Sequence, residues 1–463
     1  MQEELSKQQE KFLVLGEKPV GKLLVQYATP AIIAMAASSL YNIIDGIFIG
    51  QGVGPEAIMG LALTMPIMSL TAAFGAMVGV GGSTLMSVRL GQRDYEAAKK
   101  ILGSVLVMNV VMGISLGLIL QILLPPILRF FGASDVTFGP AYDFMTIILC
   151  GNVVTHMYLG LNALLRSTNR PDKAMYSTFG TVILNCLLAP LFIFVFDWGI
   201  RGAAAATMMA QFIMLLWQLR LFSNPDDMIR IQRQYLHLDW KIVHQSLAIG
   251  LSPFLMNICA CLVTILMTRS LSQYGGDYAV GSFGIANRLI MFVCMLVIGL
   301  NQGMQPIAGY NYGAGKNDRV IGVLKKALLF ATLITTIGFV IAEFLSVPCV
   351  TLFAKDSPEL IDMSAHALRL LGLFFPMIGP CIVCTAFFQS INKPGMSIFL
   401  SLTRQLLFII PALYILPLIF SENPVEGVWW AYPTSDIMAF VLSMTVLYVN
   451  VKKFSAQKPL GNA

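Results

Sequence analysis

Twelve apolar stretches, each close to the ~20 residues that carry a helix across a bilayer, constrain this chain more than anything else in it. They lie near 23–49, 57–88, 101–124, 142–165, 174–196, 202–222, 246–271, 279–308, 322–348, 364–390, 397–420 and 427–450. Only 12% of the 463 residues are charged and 57% are hydrophobic, where a soluble domain carries about a quarter charged residues. Too little polar surface remains for a particle in water, so the solvent for most of the chain is lipid. Hydrocarbon offers no partner to a backbone amide, which makes each stretch a helix. The expected fold is an all-α integral membrane protein with twelve transmembrane helices.

Lysine and arginine fix the expected orientation. All but six of the 30 basic residues fall at the amino terminus, in alternate loops with their flanking helix ends, or in the tail; the six are Arg129, Arg201, Arg269, Arg288, Lys355 and Arg369. Both termini are therefore expected in the cytoplasm, and an even number of crossings agrees. Because the basic groups are spaced along the chain, the net charge of +6 does not point to nucleic acid. The opening 22 residues lack the apolar core of a secretory signal, so the first helix is expected to stay in the mature protein. All eight cysteines lie in or beside apolar stretches and read as small packed thiols. The Cys381/Cys384 spacing has no second pair to complete a metal site.

The second constraint is an internal repeat. Tyr27-Ala-Thr-Pro30 returns as Gly250-Leu-Ser-Pro253, Phe131-Gly-Ala-Ser-Asp135 as Phe353-Ala-Lys-Asp-Ser357, and Ser167-Thr-Asn-Arg-Pro171 as Ser390-Ile-Asn-Lys-Pro394, while Gly91 matches Gly313. The offset is 222 or 223 throughout. Six crossings per half is even, so the halves face the same way and are expected to be two pseudo-twofold-related six-helix lobes. The division expected is a cytoplasmic segment 1–22, a first lobe 23–222, an amphipathic linker 223–245 lying on the membrane surface, a second lobe 246–451 and a tail 452–463. Parallel repeats of this kind place a substrate cavity between the lobes and open it alternately to either side.

Other classes fare poorly. Gly309-Tyr-Asn-Tyr-Gly-Ala-Gly-Lys316 misses the glycine spacing of a phosphate loop and ends in Asn317 where that loop needs Ser or Thr, so no ATP site is expected. No paired carboxylates, His-rich motif or nucleophile with a base occurs in the apolar stretches, so the chain does not read as an enzyme.

Three features carry a specific resemblance. Leu40-Tyr-Asn-Ile-Ile-Asp45 late in the first stretch, Gln305-Pro-Ile-Ala-Gly-Tyr-Asn-Tyr-Gly313 after the eighth, and the duplicated Ser-x-Asn-Arg/Lys-Pro turns are similar to the multidrug and toxic compound extrusion (MATE) family, in its MepA-like bacterial branch. The likeness runs from about Leu23 to Val451. It implies a functional monomer in the bacterial cytoplasmic membrane that exports organic small molecules in exchange for protons or sodium ions, with no other cofactor.

Asp45 is the first candidate for ion coupling. A carboxylate inside a membrane helix is costly, and it usually faces an interior or aqueous cavity where it binds a proton or a cation; the plainer reading is an interfacial Asp. The resemblance adds polar partners for it at Asn162, Asn185 and Thr207. It also exposes a departure, because many relatives carry a second Asp where this chain has Ala189. Ordinary hydrogen bonding between helices is the competing role for all three polar residues. Candidate cavity residues are Asn162, Tyr41, Met35, Met65, Met256, Asn257, Arg288 and Met291. Methionine adapts to differing ligand shapes, and Arg288 either favours anionic groups or snorkels. Glu343 and Asp436 read as capping or turn residues. The alternative function is a flippase for a lipid-linked saccharide, with Arg288 and Arg404 meeting its pyrophosphate.

Overall fold

The computed structural model describes residues 12–53, 55–353 and 357–456. Lys7, Lys11, Lys355 and Lys458 lie outside the described residues, as do the middle of the 353–357 repeat, half of the 1–22 segment and most of the 452–463 segment.

After a short helix over 12–17 (α1), the first half of the chain is built from α2 (Val20–Gly52), α3 (Pro55–Gly91), α4 (Tyr95–Phe130), α5 (Asp135–Cys150), α6 (Asn152–Ser167), α7 (Pro171–Pro190) and α8 (Gly199–Phe222). The second half contains α9 (Trp240–Gly313), α10 (Asn317–Phe344), α11 (Ser346–Thr351), α12 (Pro358–Gly372), α13 (Phe375–Ser390), α14 (Pro394–Leu402), α15 (Ile410–Ile419) and α16 (Pro424–Ala456). No strand occurs among the described residues.

Among the described residues nine helices are long and apolar enough to cross a membrane, and two bent pairs, α5 with α6 (56°) and α12 with α13 (51°), each make one further crossing. The twelfth comes from α9. Its 74 residues would stretch about 110 Å if straight, several times the ~30 Å of a hydrocarbon core. Gly276, at φ 66 and ψ −161, breaks it into two arms, in backbone geometry reserved almost wholly for glycine. Large apolar side chains such as Leu118, Ile122, Phe344 and Leu418 stand exposed on the helices, as a lipid-facing surface requires.

The repeat is written into local geometry. Asn169 and Asn392 both adopt left-handed φ, at 61 and 56, and Arg93 and Gly315 form a similar pair. In each Ser-x-Asn-Arg/Lys-Pro turn the next residue's amide reaches back to close the preceding helix: Arg170 N donates to Leu165 O, and Lys393 N to Phe388 O, both at 2.9 Å. The proline that follows starts the next helix, where its missing N–H is no loss. The bends also recur: Gly151 interrupts the fourth crossing, and Leu373 and Phe374 interrupt the tenth. A widened π turn sits in each fifth crossing of the repeat, at Leu191–Val195 and Thr403–Ile409.

Two compact units result. The first takes the described residues up to Lys18, Ile33–Phe254 and Gly309–Ala314; the second takes Pro19–Ile32, Leu255–Ala308 and the chain from Gly315 on. The first has an apolar core around Leu124, Phe144, Met145, Ala189 and Ala203. The second has its own around Met267, Phe283, Leu371 and Trp429. Within the first unit the end of α3 crosses the end of α9 backbone to backbone. A Cβ on Gly91 would fall 2.0 Å from Tyr310 O, and one on Gly313 2.0 Å from Val88 O.

Of the expected linker 223–245, residues 240–245 already belong to α9, and 223–239 hold one regular piece, the 3₁₀ turn Arg233–Tyr235. Ile229 and Tyr235 are buried, and Gly103 of α4 leaves room for Tyr235 O. Arg170 binds Asp227 at 2.5 Å, and Tyr235 Oη donates to Glu96 at 2.6 Å. That bond to a carboxylate raises the Tyr235 pKa above its ordinary value. Ile229 and Tyr235 turn to protein where these polar ties hold the segment against the first unit, whereas Leu236 stays exposed.

Candidate functional site

Three helices of the first unit bring Tyr41, Asp45, Asn185 and Thr207 together. Tyr41 and Asp45 lie one turn apart on α2 and share a face. Asn185 comes from α7, just before its proline and π turn, and Thr207 from α8.

Asn185 is the hub. Its amide nitrogen Nδ2 donates to Tyr41 Oη at 2.5 Å and to Thr207 Oγ1 at 2.9 Å, which uses both of its hydrogens. Thr207 spends its own hydroxyl hydrogen on Ala203 O, at 3.1 Å. The Tyr41 hydroxyl lies 3.4 Å from Thr207 Oγ1 and also beside the Asp45 carboxylate. Its single proton is thus the one left to share between those acceptors. Cys186 adds a thiol near Asp45.

Two acceptors remain unsatisfied. Asp45 Oδ1 and Asn185 Oδ1 are both buried without a hydrogen-bond partner. Buried oxygens are normally paired, and an orphan signals an ion, a water or a proton that belongs there. Two orphan oxygens in a cluster bearing one negative charge suit a proton on Asp45, or a small monovalent cation held by carboxylate, amide and hydroxyl oxygens. Ala189 lies one turn beyond Asn185, only 1% exposed in the apolar core, so that position adds no second carboxylate to the cluster.

Asn162 does not join this cluster. Its Nδ2 donates to Ala174 O at 3.0 Å and to Thr178 Oγ1 at 3.4 Å, which ties α6 to α7. Met35 is half-buried and Met65 is 51% exposed. Met256, Asn257, Arg288 and Met291 are all on α9 in the second unit, where Met256 is half-buried and the other three are exposed.

Sequence reasoning missed one site. Asp436 is not a capping residue: it lies well inside α16, 1% exposed, and accepts from Arg404 Nε at 3.1 Å and from the same guanidinium's NH2 at 2.9 Å. Arg404 sits in the π turn Thr403–Ile409, where the widened ladder lets its carbonyl accept from Ser435 Oγ at 3.3 Å. The signal available in the sequence was one acid and one base buried in consecutive crossings. Arg404 therefore already has its anion and is not open to a pyrophosphate.

The MatE family pattern matches residues 30–191 and 253–415, one copy in each half. The chain is 24% identical to the multidrug export protein MepA of Staphylococcus aureus, over 95% of this chain and 96% of that protein. It is 23% identical to the MepA of Staphylococcus saprophyticus, over 97% and 98%. Its fold superposes with a TM-score of 0.90 on the outward-facing conformation of a multidrug resistance MATE family transporter, at 22% identity, covering 96% of this chain and 99% of that one. A MOP superfamily transporter from Pyrococcus furiosus gives 0.91, with the same identity and coverage. With the family pattern present in both halves of a twelve-crossing helical chain, this protein belongs to the MatE family of transporters.

Proposed function

We propose that this protein is a secondary antiporter of the bacterial cytoplasmic membrane. It exports organic small molecules by alternating access and draws its energy from inward flow of protons or sodium ions through the Asp45 cluster. The observation that carries the reading is the pair of buried, unpartnered oxygens, Asp45 Oδ1 and Asn185 Oδ1, beside Tyr41 and Thr207. An empty cluster holds an uncompensated charge. A proton or cation removes that cost, so loading and unloading biases the protein between conformations that differ in access to the site. The multidrug export of the staphylococcal relatives supports organic compounds as cargo. The spacing of basic residues supports cytoplasmic termini. The flippase reading loses one of its two basic groups, because Arg404 is neutralised by Asp436.

The test is transport of a fluorescent organic cation in proteoliposomes, with proton and sodium gradients imposed separately. Wild type responds to one gradient, and Asp45→Asn responds to neither while still binding the dye. If Asp45→Asn couples normally to either gradient, the assignment of the ion site is wrong.

A further inference from the structure

The first arm of α9 carries a polar face that the ion cluster does not use. Val263, Met267 and Leu271 are its buried side, packed in the apolar core of the second unit. Away from them, Thr264, Thr268 and Ser272 recur every four residues, with Arg269 and Gln273 alongside. These five residues and Ile265 form one wall of an open cleft of about 610 Å³.

Arg269 is the unexplained group. It is exposed on a membrane helix, and no Asp or Glu occurs anywhere from Trp240 to Gly276. Among the described residues no carboxylate pairs with it, whereas Arg404 of the same unit has Asp436. A guanidinium in a membrane crossing needs an anion, carbonyl oxygens or water. Thr264 spends its hydroxyl hydrogen on Ala260 O at 2.9 Å, but the hydroxyls of Thr268 and Ser272 and the amide of Gln273 can donate beside the guanidinium, a set suited to the several oxygens of an oxyanion.

We infer that Arg269, with Thr268, Ser272 and Gln273, forms an oxyanion-binding subsite that takes the carboxylate or phosphate of an amphiphilic ligand. Two sources share this chemistry: a soluble organic anion, and the phosphate headgroup of a lipid. The site is independent of ion coupling at Asp45, so binding can be read without transport.

The experiment uses the full chain in a phosphate-free maltoside detergent. Binding is titrated for a fluorescent organic carboxylate, for a short-chain phosphatidic acid and for a fluorescent organic cation, with wild type, Arg269→Gln and Arg269→Lys. Arg269→Gln weakens at least one of the two anions about tenfold or more, Arg269→Lys weakens it less, and the cation is unaffected. Loss of the carboxylate assigns the site to soluble anions; loss of phosphatidic acid alone assigns it to headgroups. Unfolding temperature holds in both variants, because the side chain is exposed. If Arg269→Gln binds both anions as wild type does, or if it loses anion and cation equally, the subsite does not exist.

Discussion

In the first unit Asp45 presents Oδ1 to the protein interior with nothing to bind, and its neighbours Tyr41, Asn185 and Thr207 are all uncharged. In the second unit Asp436 is more deeply buried and its Oδ2 is also without a hydrogen-bond partner, yet its charge is met by Arg404 through two hydrogen bonds to Oδ1. Both clusters lie close to a π turn in the fifth crossing of their half, so the two halves place polar groups in related places. They spend them differently. A carboxylate with a resident guanidinium has little reason to take up an external cation. One surrounded only by amides and hydroxyls has every electrostatic reason to do so. Duplication therefore supplied two polar pockets, and charge content decides which one can exchange an ion.

The largest effect expected from breaking this contrast is on stability, in the second unit. Arg404→Ala leaves Asp436 buried and unpaired, at a cost of about 3–5 kcal/mol. Replacing both partners, as Arg404→Met with Asp436→Leu, returns most of that loss. Asp45→Asn acts in the opposite sense, because it removes a buried charge that has no partner; the folded protein becomes no less stable. Thermal unfolding of the three variants in one detergent checks the ordering. If Arg404→Ala unfolds no earlier than Asp45→Asn, the Arg404–Asp436 pair does not stabilise the second unit.

How much of this was legible beforehand follows from what each feature depends on. Twelve crossings could be read because length and apolarity alone decide them, and the repeat because Asn169 and Asn392 sit in identical turn sequences. The bends at Gly151 and at Leu373–Phe374 were not legible, since neither position carries a sequence signature stronger than many straight stretches. The π turns each lie beside a proline, Pro190 and Pro411, but prolines such as Pro30 and Pro66 also sit inside unbroken helices, so the residue type alone does not mark them. Arg404 and Asp436 were seen as separate residues, because their meeting depends on the rotation of two helices about their axes. Asn162 and Asn185 show the same limit. Both are asparagines inside crossings, yet one ties α6 to α7 and the other organises the Asp45 cluster. The Tyr41 hydroxyl takes a hydrogen bond from Asn185, a contact set by side-chain direction and not by sequence spacing.

A middle-sized effect tests whether the first cluster is organised by Asn185. Asn185→Ala strips a donor from Tyr41 and another from Thr207 and leaves a small void, with a stability loss of about 1–3 kcal/mol. The same change removes one of the two orphan oxygens, so the ion concentration needed for half-maximal transport rises along with the destabilisation. Asn162→Ala serves as the comparison: it breaks the tie to Ala174 O at similar cost in stability and leaves the ion dependence where it was. Equal shifts in ion dependence for the two variants would show that Asn185 acts only as a packing residue.

Tyr41→Phe is the smallest and most discriminating change. It removes a single oxygen, keeps the ring, and costs about 1 kcal/mol, the net worth of an ordinary hydrogen bond. Two consequences pull in different directions. Losing the phenol takes away a hydrogen bond to the charged form of Asp45, which favours proton binding. Losing its oxygen takes away a potential cation ligand, which weakens sodium binding. The sign of the shift therefore identifies the ion. For a proton-coupled protein, Tyr41→Phe moves half-maximal transport to a higher pH by a few tenths of a unit to one unit, since one unit corresponds to about 1.4 kcal/mol. For a sodium-coupled protein it raises the sodium requirement a few-fold, for the same free energy. Transport measured across a pH series at fixed sodium, then across a sodium series at fixed pH, separates the two; no movement in either series would remove Tyr41 from the ion cluster.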